Sequence, residues 1–238
     1  MLFGKVSELW RYPVSSLAGE RLQATELDET GVARDRLWGL FDADDAVAGP
    51  ESEKRWRPVP ALRARLDGET IAVGQDDIWH DLPSGEADAL ASRHLGFPVR
   101  FRPFRPGVPV EQAGAPRYER SPLHILTTAS MAYLREILPA AIIDAPRFRP
   151  NIVIETAAEQ TGFAEQELIG RTLSIAGARI AITEPCKRCA FTALGQPGLP
   201  FDKDVLHAIA RHGDGGFGVL AKVLEPARIA CADAVLVV

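Results

Sequence analysis

Short runs in which apolar and polar residues alternate, each cut off by Gly, Pro or Asp, fill most of the first hundred positions of this chain. Such punctuation leaves room for strands and little else. Residues 6–14 alternate roughly and residues 22–27 more loosely, with a turn at Ala18-Gly19-Glu20 between them. Residues 37–42 form a fuller apolar run that ends at Asp44-Asp45, and 62–67 and 70–73 flank Gly68 as a hairpin. Strands this short and closely spaced favour a barrel or sandwich over a βαβ array. The first helix signal covers 85–95, with Gly96 as its stop.

Pro, Gly and Arg then concentrate in residues 102–109 and 114–117. This stretch reads either as the join between two domains, 1–105 and 118–238, or as an ordinary surface loop. Beyond it, 123–126 and the β-branched 151–154 read as strands, and Ser130 is placed to cap a helix over 131–138. Residues 173–175 and 178–182, split by Ala176-Gly177, form a hairpin leading into Cys186-Lys187-Arg188-Cys189, with 191–194 continuing like a strand. A helix over 204–211 and strands over 219–224 and 234–238 complete an α+β, β-dominated chain.

Hydrophobic residues make up 46% of the 238, enough for a real core, and the formal net charge is -5. That balance argues against nucleic acid as a partner, which needs a strongly basic face. It does not exclude an anionic ligand in a locally cationic cleft. Three cysteines, Cys186, Cys189 and Cys231, are too few for a disulfide framework. The N-terminus shows no signal-peptide pattern, and no apolar run approaches the roughly 20 residues that span a bilayer. The expected location is a reducing cytoplasm, with no membrane partner.

Cys186 and Cys189 admit four readings. A zinc ribbon needs a second ligand pair, and only His207, His212 and Cys231 are available. A thioredoxin-like pair belongs at a helix N-terminus, whereas this motif follows a hairpin. A soft-metal thiolate ligand is helped by the cations Lys187 and Arg188. An inert buried thiol is the usual fate of a free cysteine. Three other clusters bear on the choice. Arg147 and Arg149 in Arg-Phe-Arg-Pro-Asn offer bidentate donors to an anion, or a surface salt-bridge patch. Thr127-Thr128-Ala129-Ser130 offers hydroxyls and free N–H groups at a helix start, or plain capping. Asp35-Arg36 offers one more cation, or an ion pair.

Taken together these strings resemble the MOSC family, named for the C-terminal domain of molybdenum cofactor sulfurase, over nearly the whole chain. Tyr12-Pro13-Val14-Ser15-Ser16 looks like its Tyr-Pro-Val-Lys-Ser, and Asp35-Arg36-Leu37-Trp38 like its Asp-Arg-x-Trp. Arg147 to Asn151 and Pro185 to Cys189 match Arg-Phe-Arg-Pro-Asn and Pro-Cys-x-Arg-Cys, and Phe217-Gly218-Val219 and Leu224-Glu225-Pro226 match the closing strands. The resemblance implies an N-terminal MOSC β-barrel domain over 1–105 and a MOSC β-barrel domain with a few helices over 118–238, with a basic cleft between. It further implies a molybdenum-pterin cofactor with Cys189 as metal ligand and catalytic centre. Ser15, Ser16, Arg36, Thr128, Ser130, Arg149 and Asn151 are the implied cofactor-binding positions, supported by Arg147 and Arg188. In the amidoxime-reducing branch the reaction is two-electron reduction of N-hydroxylated or N-oxide compounds.

This chain departs from the pattern at Ser15, where the family has Lys; Arg11 and Arg34 are the nearby cations that could replace it. Ala232-Asp233 and Pro226-Ala227 stand for Gly-Asp and Pro-Gly. No cysteine-rich ferredoxin-like domain follows residue 238, so electrons are expected from a separate ferredoxin- or cytochrome-type protein and its reductase. With no pyridoxal-phosphate domain, cysteine desulfuration is not expected. A carrier that holds cofactor, or a persulfide on Cys189, without turnover of its own is the alternative.

Overall fold

A computed structural model describes residues 1–105 and 121–238. The N-terminal half runs β1 (Leu2–Arg11), β2 (Glu20–Leu22), β3 (Ala24–Asp28), β4 (Gly31–Val32), β5 (Trp38–Asp42), β6 (Arg63–Asp67), β7 (Thr70–Gln75), β8 (Ile78–Asp81), α1 (Gly85–Leu95) and β9 (Val99–Pro103). The C-terminal half runs β10 (Leu123–Thr127), α2 (Thr128–Ile137), α3 (Ala145–Phe148), β11 (Ile152–Thr156), β12 (Thr172–Ile175), β13 (Ala178–Lys187), α4 (Lys203–His212), β14 (Gly216–Glu225), β15 (Ala227–Ala230) and β16 (Ala234–Val237). Strands dominate and a few helices decorate them. The join expected between 105 and 118 lies outside the described residues.

Seven strands close a barrel in the order β11-β10-β14-β13-β12-β16-β1, with β1 returning to β11. All pairings are antiparallel except β10 with β11. Closure leaves these strands no free edge. The alternation read from the sequence fills the interior: Val6 and Leu9, Ile152 and Ile154, Leu173 and Ile175, Ile180 and Ile182, and Val219 and Ala221 share one apolar core. The strand β1, at the start of the sequence, is thus one stave of a barrel whose other six strands lie beyond residue 122. It reaches β11 because Gly4 lets the backbones touch; a Cβ there would stand 2.2 Å from the Glu155 carbonyl oxygen. The residues between β1 and β10 contribute small sheets, β5-β9, β6-β7-β8 and β3-β4, the last extended by β15. Leu40, Trp56, Leu62, Val73 and Phe101 make their own apolar cluster.

Two local expectations change. The cap of α2 is Thr127, whose hydroxyl accepts from Ser130 N at 3.2 Å, so Ser130 sits inside the first turn. Residues 190–193 form a 3-10 turn rather than a strand, because β13 ends at Lys187. By contrast α1 starts at a Ser84 cap and stops at Gly96 in the left-handed region, φ 80°.

Candidate functional site

The motif Pro-Cys-Lys-Arg-Cys sits where β13 leaves its partner. The β13–β14 register slips between Pro185 and Lys187, and Arg188 N then bonds Gly215 O at 2.8 Å. The slip sends the two cysteines to different surroundings: Cys186 is buried and Cys189, just before the 3-10 turn, is exposed. Both line an open cleft of about 160 Å³, together with Ser16, Arg36, His124, Arg149, Asn151 and Arg188. The cleft joins both halves of the sequence.

Three of its residues, Ser16, Arg36 and Arg149, hold positive φ of 70°, 53° and 57°. Non-glycine residues in that region are held by their surroundings, and such strain gathers at functional sites. For Arg149 the surroundings are explicit. Its Nη1 donates to Leu17 O, and its guanidinium lies 4.2 Å over the Tyr12 ring and 5.2 Å from that of Phe191. Arg36 is ion-paired with Asp35, donates to Arg149 O at 3.3 Å and lies 5.0 Å from the centroid of the same Tyr12 ring. Burial drives the Tyr12 phenol upward, more than these two cations lower it. Ser16 Oγ is buried, with no hydrogen-bond partner among the described residues.

Asn151 is the tie between the halves. Its Oδ1 accepts from Arg36 Nη1 at 3.3 Å and from His124 N at 3.1 Å, while its Nδ2 donates to Asp35 Oδ2 at 3.1 Å. Its amide orients the cleft wall from within.

Four sequence candidates lie outside the cleft lining. Ser15 is buried, its N–H bonded to Trp38 O at 2.8 Å. Thr128 Oγ1 accepts from Thr156 N at 3.2 Å. Ser130 Oγ donates to the buried carboxylate of Glu165, which also takes the Thr127 hydroxyl and Gly218 N. Burial pushes the Glu165 carboxyl up, against those bonds. Arg147 is wholly buried and spends its guanidinium on the carbonyls of Ile142, Thr192 and Pro200 at 3.2, 3.3 and 3.0 Å. The cations weighed against the missing lysine are committed elsewhere too: Arg11 pairs with Glu20 and Arg34 with Glu69. Lys187, although it borders the cleft, pairs with Asp214 at 2.9 Å.

Sequence reasoning missed His124, a buried imidazole in a strand of otherwise apolar or hydroxyl residues. A lone polar residue at a core position of a strand was the available signal. Of the two cations that adjoin the sulfurs in sequence, Arg188 meets one of them: its Nη1 donates to Cys186 Sγ at 2.9 Å. Burial raises the Cys186 thiol, but the charges of His124 and Arg188 and their hydrogen bonds outweigh it and bring its pKa down to about 6. A depressed folded value means the unfolded chain binds more protons between pH 6 and its ordinary value. Stability of the cofactor-free protein should therefore rise with pH from about 6 to 9, by at most about 1.4 kcal/mol per unit, and fall as pH drops through 6. Denaturation midpoints across that range check it; Cys186→Ser should flatten the slope, and an unchanged slope refutes the thiolate.

Among the described residues no group of three or more His, Cys, Asp or Glu gathers to hold a metal ion, and all three cysteines are free. Family models match over residues 92–236, the MOSC domain, and 3–58, the MOSC N-terminal beta barrel domain. The YuaD protein from Bacillus subtilis is similar in fold: 12% identity, 98% of this chain, 94% of that chain, TM-score 0.54. YiiM from Geobacillus stearothermophilus matches over 50% of this chain and 54% of its own, with 18% identity and TM-score 0.37. A search of curated proteins finds no match.

Proposed function

This chain belongs to the MOSC family, whose association is with the molybdenum cofactor, and from that premise we propose that it holds a molybdenum-bearing pterin in the cleft and reduces N-hydroxylated or N-oxide compounds. The observation that carries the reading is the buried Ser16 hydroxyl, without a partner among the described residues, in a cleft lined by Arg36, Arg149 and Arg188 and by the exposed Cys189. An unpartnered buried hydroxyl costs about 1–3 kcal/mol, a deficit a ligand oxygen removes.

The donor set fits the group. Thiolate suits a soft or high-valent metal, and guanidinium suits the anionic pterin and phosphate oxygens. Cys189 would be the protein ligand, and Ser16, Arg36, Arg149 and Arg188 would meet the rest. Bound there, the cofactor supplies the two-electron step that takes oxygen from nitrogen. The chain's own part is to orient that group through a wall fixed by Asn151 and to keep one side open for substrate. Electrons would come from a separate ferredoxin- or cytochrome-type protein with its reductase. No described helix is long and apolar enough to cross a membrane.

Protein purified from a host that makes the cofactor should contain near-stoichiometric molybdenum, show pterin fluorescence after oxidation, and turn over an amidoxime with an artificial electron donor. Absence of both metal and pterin sinks the reading; metal and pterin without turnover leaves the carrier alternative.

A further inference from the structure

Side chains alternate as β13 delivers the cysteine motif to the cleft. Cys186 is buried, and Arg188 turns with it: Nη1 donates to Cys186 Sγ at 2.9 Å and Nη2 to Phe148 O at 2.8 Å. Lys187 and Cys189, the other pair two apart, are both exposed and both line the cleft. Successive side chains of an extended chain point to opposite sides, and Cys189 keeps extended backbone at φ -116° and ψ -178°. Lys187 thus shares a side of the chain with the thiol that would hold the metal, and two residues of extended chain span only about 6–7 Å. Among the described lining residues Lys187 is the one exposed cation, since Arg36, Arg149 and His124 are buried and Arg188 is partly so.

The arginines are anchored inside the protein: Arg36 donates to Asn151 Oδ1 and Arg149 O, and Arg149 to Leu17 O. Lys187 is held more loosely. Its ammonium meets Asp214, with Nζ 2.9 Å from Oδ2 and a second bond to Asp214 O, and the two side chains are 59% and 103% exposed. An ion pair this exposed is weak and is screened by salt, so another carboxylate competes for the ammonium on nearly equal terms. The described lining holds one carboxylate of its own, Glu51, and that group already has a partner. We infer that Lys187 is a specificity-determining residue at the cleft mouth, which exchanges Asp214 for an anionic group on the substrate. N-hydroxylated compounds that bear a carboxylate are therefore preferred over uncharged ones. The preference rests on the proposed reaction and narrows its substrate class. Only ionic partners are exchanged at Lys187, and the cleavage of the N–O bond is as already described.

Benzamidoxime and 4-carboxybenzamidoxime differ by one charge, and the ratio of their kcat/KM values on molybdenum-loaded enzyme reads the preference. Because both are measured on one preparation, incomplete loading cancels. Lys187→Gln should lower the ratio about fivefold, through the KM of the carboxylate substrate, with kcat within about twofold. Asp214→Asn should raise it about twofold by releasing the ammonium, and asparagine tolerates the left-handed backbone that Asp214 holds at φ 48°. A ratio that Lys187→Gln leaves unchanged overturns the inference. Binding gives a readout without turnover: benzoate, titrated calorimetrically into the loaded protein, should bind about fivefold more weakly to Lys187→Gln than to wild type, whereas benzamide should not distinguish them. Equal benzoate binding overturns the exchange whatever the kinetics. If a variant does not fold, the wild-type ratio decides, since about 0.5 M salt should shrink it and a ratio indifferent to salt overturns the ionic contact. Failure of the reaction itself appears differently, as wild-type protein that turns over neither amidoxime, which overturns the preference with it.

Discussion

Cys189→Ala should strip the protein of molybdenum and cut turnover by at least about a thousandfold, while its melting temperature stays within a degree or two of wild type. The thiol is exposed, at the entrance to a 3-10 turn that is held by backbone bonds such as Thr192 N to Cys189 O at 3.1 Å. Removing an exposed sulfur that supports no such bond leaves the fold's stability within about 0.5 kcal/mol. Cys186→Ala should behave otherwise. It deletes the acceptor of the Arg188 bond, so metal content should survive at reduced occupancy and turnover should fall only partly. Elemental analysis, turnover and a melting curve on the two variants separate these outcomes. Equal and complete loss of activity in both would replace single-ligand chemistry with a paired-thiol mechanism. Full metal content in Cys189→Ala would move the ligand elsewhere.

Periodicity carried the fold and the two hairpins it marked, β6 with β7 and β12 with β13, and left the pairings between distant strands unread. Alternation identifies which face of a strand is apolar, and the interior residues of β11, β12, β13 and β14 follow it. It cannot say which strand lies alongside, and so β1, which pairs Leu9 with Ile152, was placed with its sequence neighbours. The cleft divides in the same way. Cys189, Arg188, Ser16 and Arg36 were legible as chemistry in a row of residues, and all reach the lining. Thr128 and Ser130 looked equally suitable, but their hydroxyls are taken by Thr156 and Glu165, dozens of positions away. His124 escaped notice because its neighbours Asn151 and Gly218 come together only after the barrel closes.

Arg147→Met should be the most destabilising single change in this motif, even though Arg147 and Arg149 stand two residues apart and look interchangeable. The short helix α3 places Arg147 inward, and the left-handed turn at Arg149 reverses the chain, so the second guanidinium faces the cleft. Arg147 ties three carbonyls from two segments, Ile142 on one side and Thr192 and Pro200 on the other. Thr192 belongs to the turn that follows Cys189. Methionine fills much of the same volume but leaves those carbonyls without their charged donor, and buried bonds to charged groups are worth about 1.5–3 kcal/mol each. Since the three losses are not additive, about 3–5 kcal/mol is expected in total, roughly 10 °C in Tm for a chain of this length. Arg149→Met, in contrast, should cost less stability and more cofactor, because its guanidinium lines the cleft. Paired melting curves and cofactor content test the division of labour. If Arg147→Met melts like wild type yet loses cofactor, the inward arginine meets the ligand after all, and the roles assigned to the two residues are exchanged.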